Sequence, residues 1–367
     1  MADISDEHSG PRVVALELID AATALESLGR HDEAIAAYAG VVARVASSAD
    51  AELLDLSAIA SIRKGLLMSR LGRGDEALSA FDETVSRFQA HDDPRFRIRV
   101  ATALFHSAIE LTAQVRLEDA IETYRLIVDR FGDAEDTELR GAVARSMLNL
   151  GANLGKLDRS LEAIEVYDRV ARRFGDCDEA GLRARAAAAM VNKAVRLGAL
   201  GRHDEALDTC DEAVEKFGRD DSEELQAQVA RALFERGVRL GEVNRNPEAV
   251  TAYSELVKRF GGLAHPEVQK EVSMALINKA ARLGKMGRAG EAITTYDEVV
   301  TRFGESTDPA LLERVARAML NKGRRLDAMK RTAAAQRAYA AVVSRFSKAK
   351  HRGIRKLVDE AEKSIQE

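Results

Sequence analysis

Residues Glu291–Gly304 read EAITTYDEVVTRFG, and variants of this phrase are written eight times along the chain. Its alanine recurs at Ala34, Ala77, Ala120, Ala163, Ala206, Ala249, Ala292 and Ala335, always 43 residues apart, with no insertion or deletion. Four residues after each stands Tyr38, Phe81, Tyr124, Tyr167, Cys210, Tyr253, Tyr296 or Tyr339. Seven further on comes Val45, then Phe88, Phe131, Phe174, Phe217, Phe260, Phe303 and Phe346. Twelve residues before the marker alanine the series alternates as Ala22, Gly65, Ala108, Gly151, Ala194, Gly237, Ala280 and Gly323. A register kept through eight copies identifies a repeat architecture.

Each copy reads as two helices. The first, typified by Ser222 to Val243, carries Val229, Leu233 and Leu240 on one face with the small Gly237 among them. Several end near a glycine suited to a left-handed cap: Gly29, Gly72, Gly201 and Gly287. The second helix follows a basic residue, Arg30, Arg73, Arg116, Arg159, Arg202, Arg245, Arg288 or Arg331, which the pattern assigns a structural role at the turn. Acidic side chains such as Asp204 and Glu205 then occupy its first turn and complement the helix dipole. It closes on a basic-Phe-Gly signature, as at Arg302-Phe303-Gly304, where the glycine reads as a second C-terminal cap. The small residue lets the two helices approach, and the aromatic side chain fills the space beside it.

This pattern resembles the tetratricopeptide repeat family. It shares with that family the small residue on the first helix, the Leu or Met after it, Gly near the turn, Ala at the crossing and Tyr or Phe four residues later. It departs in its period, 43 residues where the family has 34, which reads as a longer first helix, and in a closing Gly in place of Pro. The resemblance implies an all-α, right-handed superhelical solenoid of eight two-helix repeats. The eight repeats are expected over residues 11–348, after a disordered tail over residues 1–10. Ile354, Leu357, Val358, Ala361 and Ile365 then share one face of a C-terminal capping helix within residues 349–367.

The wheel of the first helix sets a polar stripe opposite the apolar face, eighteen, fourteen and ten residues before the marker alanine. The first row holds Arg145, Arg231 and Arg317. The middle row reads Asp20, Arg63, His106, Asn149, Asn192, Glu235, Asn278 and Asn321. The last row gives Asn153, Arg196, Arg239, Arg282 and Arg325. The resemblance implies that this stripe lines the concave groove, where asparagines hold an extended peptide backbone. A carboxamide carries both a donor pair and an acceptor for that purpose. Flanking arginines would favour an acidic or free-carboxylate partner. A protein-interaction scaffold binding such a peptide is therefore the leading expectation, with a self-assembling structural protein as the alternative.

Composition narrows the rest. The 367 residues are 46% hydrophobic and 31% charged, as befits a folded chain, and carry a net charge of -5 that argues against a general nucleic-acid coat. A third possibility, nucleic-acid contact through Lys348, Lys350, Arg352, Arg355 and Lys356, reads more simply as the basic edge of the capping helix. Cys177 and Cys210 form no CxxC pair, which suits a reducing compartment and a cytoplasmic location. No run is apolar enough for a membrane span. The seven histidines have no metal-ligand spacing, and neither a phosphate-binding glycine loop nor a nucleophile elbow is present, so no catalytic residue, metal or cofactor is expected.

Overall fold

The computed structural model describes residues 10–366, so the expected tail lies, except for Gly10, outside the described residues. Every regular element among them is an α-helix. In chain order these are α1 (Pro11–Ser27), α2 (His31–Arg44), α3 (Ala51–Arg70), α4 (Gly74–Phe88), α5 (Pro94–Ala113) and α6 (Leu117–Phe131). Next come α7 (Thr137–Lys156), α8 (Ser160–Phe174), α9 (Ala180–Ala199), α10 (His203–Phe217), α11 (Glu223–Glu242) and α12 (Asn246–Phe260). The last are α13 (Pro266–Lys285), α14 (Ala289–Phe303), α15 (Pro309–Ala328), α16 (Thr332–Phe346) and α17 (Arg352–Gln366). The chain divides into two compact units, one up to Val166 and one from Tyr167.

The long period has the cause that the sequence suggested. From the second repeat onward the first helix is 20 residues and the second 15. Asp50, Asp93, Asp136 and Asp308 start first helices by accepting the N–H two residues on, an N-cap worth about 1 kcal/mol. Within each unit both helices of a pair touch, each second helix packs on the next first helix, and neighbouring first helices touch as well. The amphipathic α17 lays Ile354, Leu357, Val358 and Ala361 against α15 and α16 and closes the last repeat.

Inside a pair the small residue does what the spacing implied. A Cβ added at Gly65 would lie 2.6 Å from the Phe81 ring, one at Gly237 2.4 Å from that of Tyr253, and one at Gly323 2.3 Å from that of Tyr339. All three rings are buried. The turn after the first helix is equally uniform in shape but not in sequence. Gly29, Gly72, Gly201 and Gly287 adopt φ of 72–76°, and Val115, Asp158, Asn244 and Lys330 take the same left-handed conformation at 57–62°. A branched side chain pays most for that backbone.

The basic-Phe-Gly signature departs from expectation. Gly218, Gly261 and Gly304 have φ between -60 and -68°, so they do not form left-handed caps. The next repeat crosses them, as Arg130 crosses Gln89 to reach its carbonyl. Arg259, Arg302 and Arg345 donate to the carbonyls of Gly218, Gly261 and Gly304, each 41 residues upstream. Arg259 and Arg345 also lie over their own phenylalanines, with guanidinium carbons 5.0 and 5.7 Å from the ring centres. In seven of the eight repeats the arginine before the second helix pairs with a carboxylate three residues on, as Arg202 does with Glu205 at 2.6 Å, whereas Arg331 has Ala334 at that place.

Two substitutions test this account. Val115→Gly relieves the left-handed strain and should raise stability by about 1 kcal/mol, read as a higher melting temperature. Gly237→Leu drives side-chain atoms into the Tyr253 ring and should cost about 1–3 kcal/mol in chemical denaturation.

Candidate functional site

The middle row of the polar stripe is committed to the fold more than its position on one wheel suggests. Asn149 donates its amide to the Tyr124 hydroxyl at 3.2 Å, and Asn278 donates to Tyr253 at 3.5 Å. Asn192 and Asn321 hold the equivalent places, and each acts to lower the pKa of the phenol 25 residues before it, Tyr167 or Tyr296. Each pair joins the second helix of one repeat to the first helix of the next, 25 residues later. Burial pushes the Tyr167 and Tyr253 phenols up to about 12, and their asparagines oppose that shift. Where the hydroxyl is missing, so is the asparagine. Phe81 instead stacks on His106, with ring centres 6.0 Å apart, and burial lowers that imidazole's pKa. Cys210, fully buried with its thiol pushed up by burial, is followed by Glu235.

The last row lies between repeats. Asn153 is buried and donates to Thr112 at 2.7 Å. Arg282 donates to the Gly241 carbonyl at 2.8 Å and Arg325 to that of Gly284 at 3.3 Å. Their guanidinium groups cover these glycines so closely that a Cβ there would meet them at 2.6 and 2.1 Å. Arg239, 9% exposed, covers Gly198 and forms ion pairs with Glu235 and Glu242, both at 2.7 Å. Burial raises the Glu235 pKa, and Arg239 works against it. Arg196 is half-buried at the equivalent position.

The first row remains open. Arg145 is exposed, its guanidinium 5.0 Å from the Phe105 ring centre. In the second unit Arg231 is half-buried and donates to Asn192 at 2.9 Å. Arg317 is exposed and pairs with Glu313 at 2.9 Å, an i,i+4 contact worth a few tenths of a kcal/mol. Arg317 and Asn278 are brought together in a cleft of about 310 Å³ between α13 and α15, with Met274, Ile277 and Ala310 as its apolar lining and Arg314 beside them. Arg314 keeps one long hydrogen bond, 3.3 Å, to the Ala310 carbonyl. Sequence reasoning missed it. It lies three residues before Arg317 in a row with Arg185, Gln228 and Glu271, whose polar run through four repeats is the signal. Burial raises the Glu271 pKa, and Arg231 and Arg314 oppose the shift from either side.

In the first unit, a cleft of about 400 Å³ on the same helix face is lined by Tyr38, Glu26, Arg63 and Arg70. Tyr38 donates to Glu26 at 2.7 Å, Arg63 donates to Thr23 at 3.0 Å, and Arg70 pairs with Glu26. Among the described residues no cluster of His, Cys, Asp and Glu is arranged to hold a metal ion, and no helix is long and apolar enough to cross a membrane.

A tetratricopeptide repeat model matches residues 19–90 and 148–222, and a model of anaphase-promoting complex subunit 5 matches residues 240–322. No curated protein matches the sequence. Among solved structures, the apo form of RapI is 13% identical, with 96% of each chain covered and a TM-score of 0.59. BtubC from P. vanneervenii is 17% identical over 64% of this chain and 94% of its own, with a TM-score of 0.52. The apo quorum sensor NprR from B. thuringiensis is 10% identical over 93% of this chain and 89% of its own, at 0.51. At these identities the likeness is one of fold. Repeat, packing and family model agree that the chain is built of tetratricopeptide-type repeats.

Proposed function

We propose that this chain is a protein-interaction scaffold whose first-helix face in the second unit takes an extended peptide segment carrying a carboxylate. The observation that carries this reading is the cleft between α13 and α15, where Arg314 and Arg317 stand beside an apolar lining and the Asn278 amide, and where Glu313, paired with Arg317, marks how a carboxylate is held. Two guanidinium groups three residues apart on one helix can fork onto a carboxylate. Met274 and Ile277 would accept a neighbouring apolar side chain. Arg231 and Asn192 extend the same face by two and three repeats. Asn149, Asn153 and Arg145 belong to the corresponding rows of the first unit, and Asn321 to those of the last repeat. In this reading Arg239, Arg282 and Arg325 support the groove from behind through the contacts between repeats, and Arg196 shares their row.

A peptide library selected on the immobilised protein tests the proposal. Acidic peptides with an adjacent apolar residue should be enriched, and their affinity should fall at least tenfold in Arg314→Ala/Arg317→Ala without a change in melting temperature. Selection of no acidic sequence, or equal binding by the double variant, would remove the reading. Arg239→Ala should behave in the opposite sense. It strands the buried Glu235 and should cost about 3–5 kcal/mol of stability in denaturant titration.

A further inference from the structure

The eight repeats are not equivalent in charge at the loop that follows the second helix. Most carry carboxylates there: Asp50; Asp92 and Asp93; Asp133 and Asp136; Asp176 and Asp178; Asp220 and Asp221; Glu305 and Asp308. After α16 the sign inverts. Lys348, Lys350, Arg352, Arg355 and Lys356 stand within nine residues, all exposed, and none forms an ion pair among the described residues. Arginines elsewhere on the surface are mostly paired with a carboxylate or a carbonyl, so five uncompensated cations in a chain of net charge -5 stand out.

The opposite end of the sequence carries the complementary sign. On α1, Glu17 and Asp20 are exposed one turn apart and form no ion pair among the described residues. Asp3, Asp6 and Glu7 precede them in the chain. Glu17 is informative in a second way. The seven later repeats hold Ala or Ser at its position, fully buried, as at Ala60, Ala189 and Ala318. That position is covered wherever a repeat precedes it and open on α1. Another repeat stacked there in the solenoid manner would bury the Glu17 carboxylate without a partner, so only a contact between charges suits this face.

We propose that the Lys348–Lys356 patch is a docking surface for a second copy of this chain, which offers Glu17 and Asp20 of α1. The contact is heterologous, so copies associate head to tail. The patch holds no Phe, Tyr or Trp on which bases could stack, and Asp359 and Glu362 follow it directly, which favours a short acidic protein surface over a nucleic acid. This inference is independent of the peptide-binding face.

Sedimentation velocity over a concentration series tests it. The weight-average mass should rise with concentration at about 0.1 M salt and return to the monomer at about 1 M, where the screening length shrinks to roughly 3 Å. Reversing the patch (Lys348, Lys350, Arg352, Arg355 and Lys356, each to Glu) should give a monomer at low salt, and so should Glu17→Lys/Asp20→Lys. Mixing the two variants restores complementary charge at both contacts, native ends with each other and reversed ends with each other, so the mixture should associate again at low salt. Circular dichroism checks that both variants keep the helical fold. A wild-type monomer at every concentration, association that high salt leaves unchanged, or low-salt retention of nucleic acid without self-association would overturn the proposal.

Discussion

An arginine reaching back 41 residues to a backbone carbonyl recurs on both layers of the stack. Arg282 and Arg325 do it between first helices, and Arg259, Arg302 and Arg345 between the ends of second helices. Asn153 reaches Thr112 over the same separation, and Arg159 pairs with Glu118. A contact defined by a fixed offset tolerates no insertion within the repeat, which accounts for a period held without exception. The carbonyls concerned lie at helix C-termini, where the dipole already favours a cation, so each link joins a charge-assisted hydrogen bond to a dipole term. The link needs only the carbonyl, since Arg130 makes it to Gln89 and Arg87 to Ala46, while at Gly241 and Gly284 the guanidinium lies over the glycine itself.

The fold was legible because its determinants are local and repeated. The small residue before an aromatic, the glycine at several first turns and the apolar face of α17 can each be seen within one repeat. The groove was less legible because the partners that define it lie outside the repeat being read. A wheel drawn on α13 alone sets Asn278 and Arg282 on one polar stripe. The structure separates them: Arg282 is drawn between repeats by a carbonyl 41 residues upstream, and Asn278 leans on a tyrosine 25 residues upstream. The pairing could have been found by reading two series together, since asparagine is absent at His106 and Glu235, where the preceding aromatic position is Phe81 or Cys210.

These commitments change how the face should be viewed. Its asparagines and inner arginines are bound into the stack, and the freer polar groups are those one turn nearer the helix N-terminus, above all Arg314 and Arg317. Glu235 and Glu271, whose pKa values are raised by burial, lie among arginines, so the face is a mosaic of both signs. A partner suited to it combines apolar and charged groups in a fixed order and is more than a uniformly acidic chain.

The alternation of small residues, Ala then Gly from one repeat to the next, has a counterpart in the first polar row, where Arg145, Arg231 and Arg317 stand two repeats apart with Ala188 and Met274 between them. The chain therefore carries a double-length unit of 86 residues inside its 43-residue period. First helices that touch lie roughly 8–10 Å apart, which sets Arg231 and Arg317 on the order of 16–20 Å from each other. An extended strand advances about 3.3 Å per residue, so that interval measures off five or six residues. In the proposed peptide-binding reading the two arginines would make a ruler, able to tell apart segments of one composition by the distance between their charges.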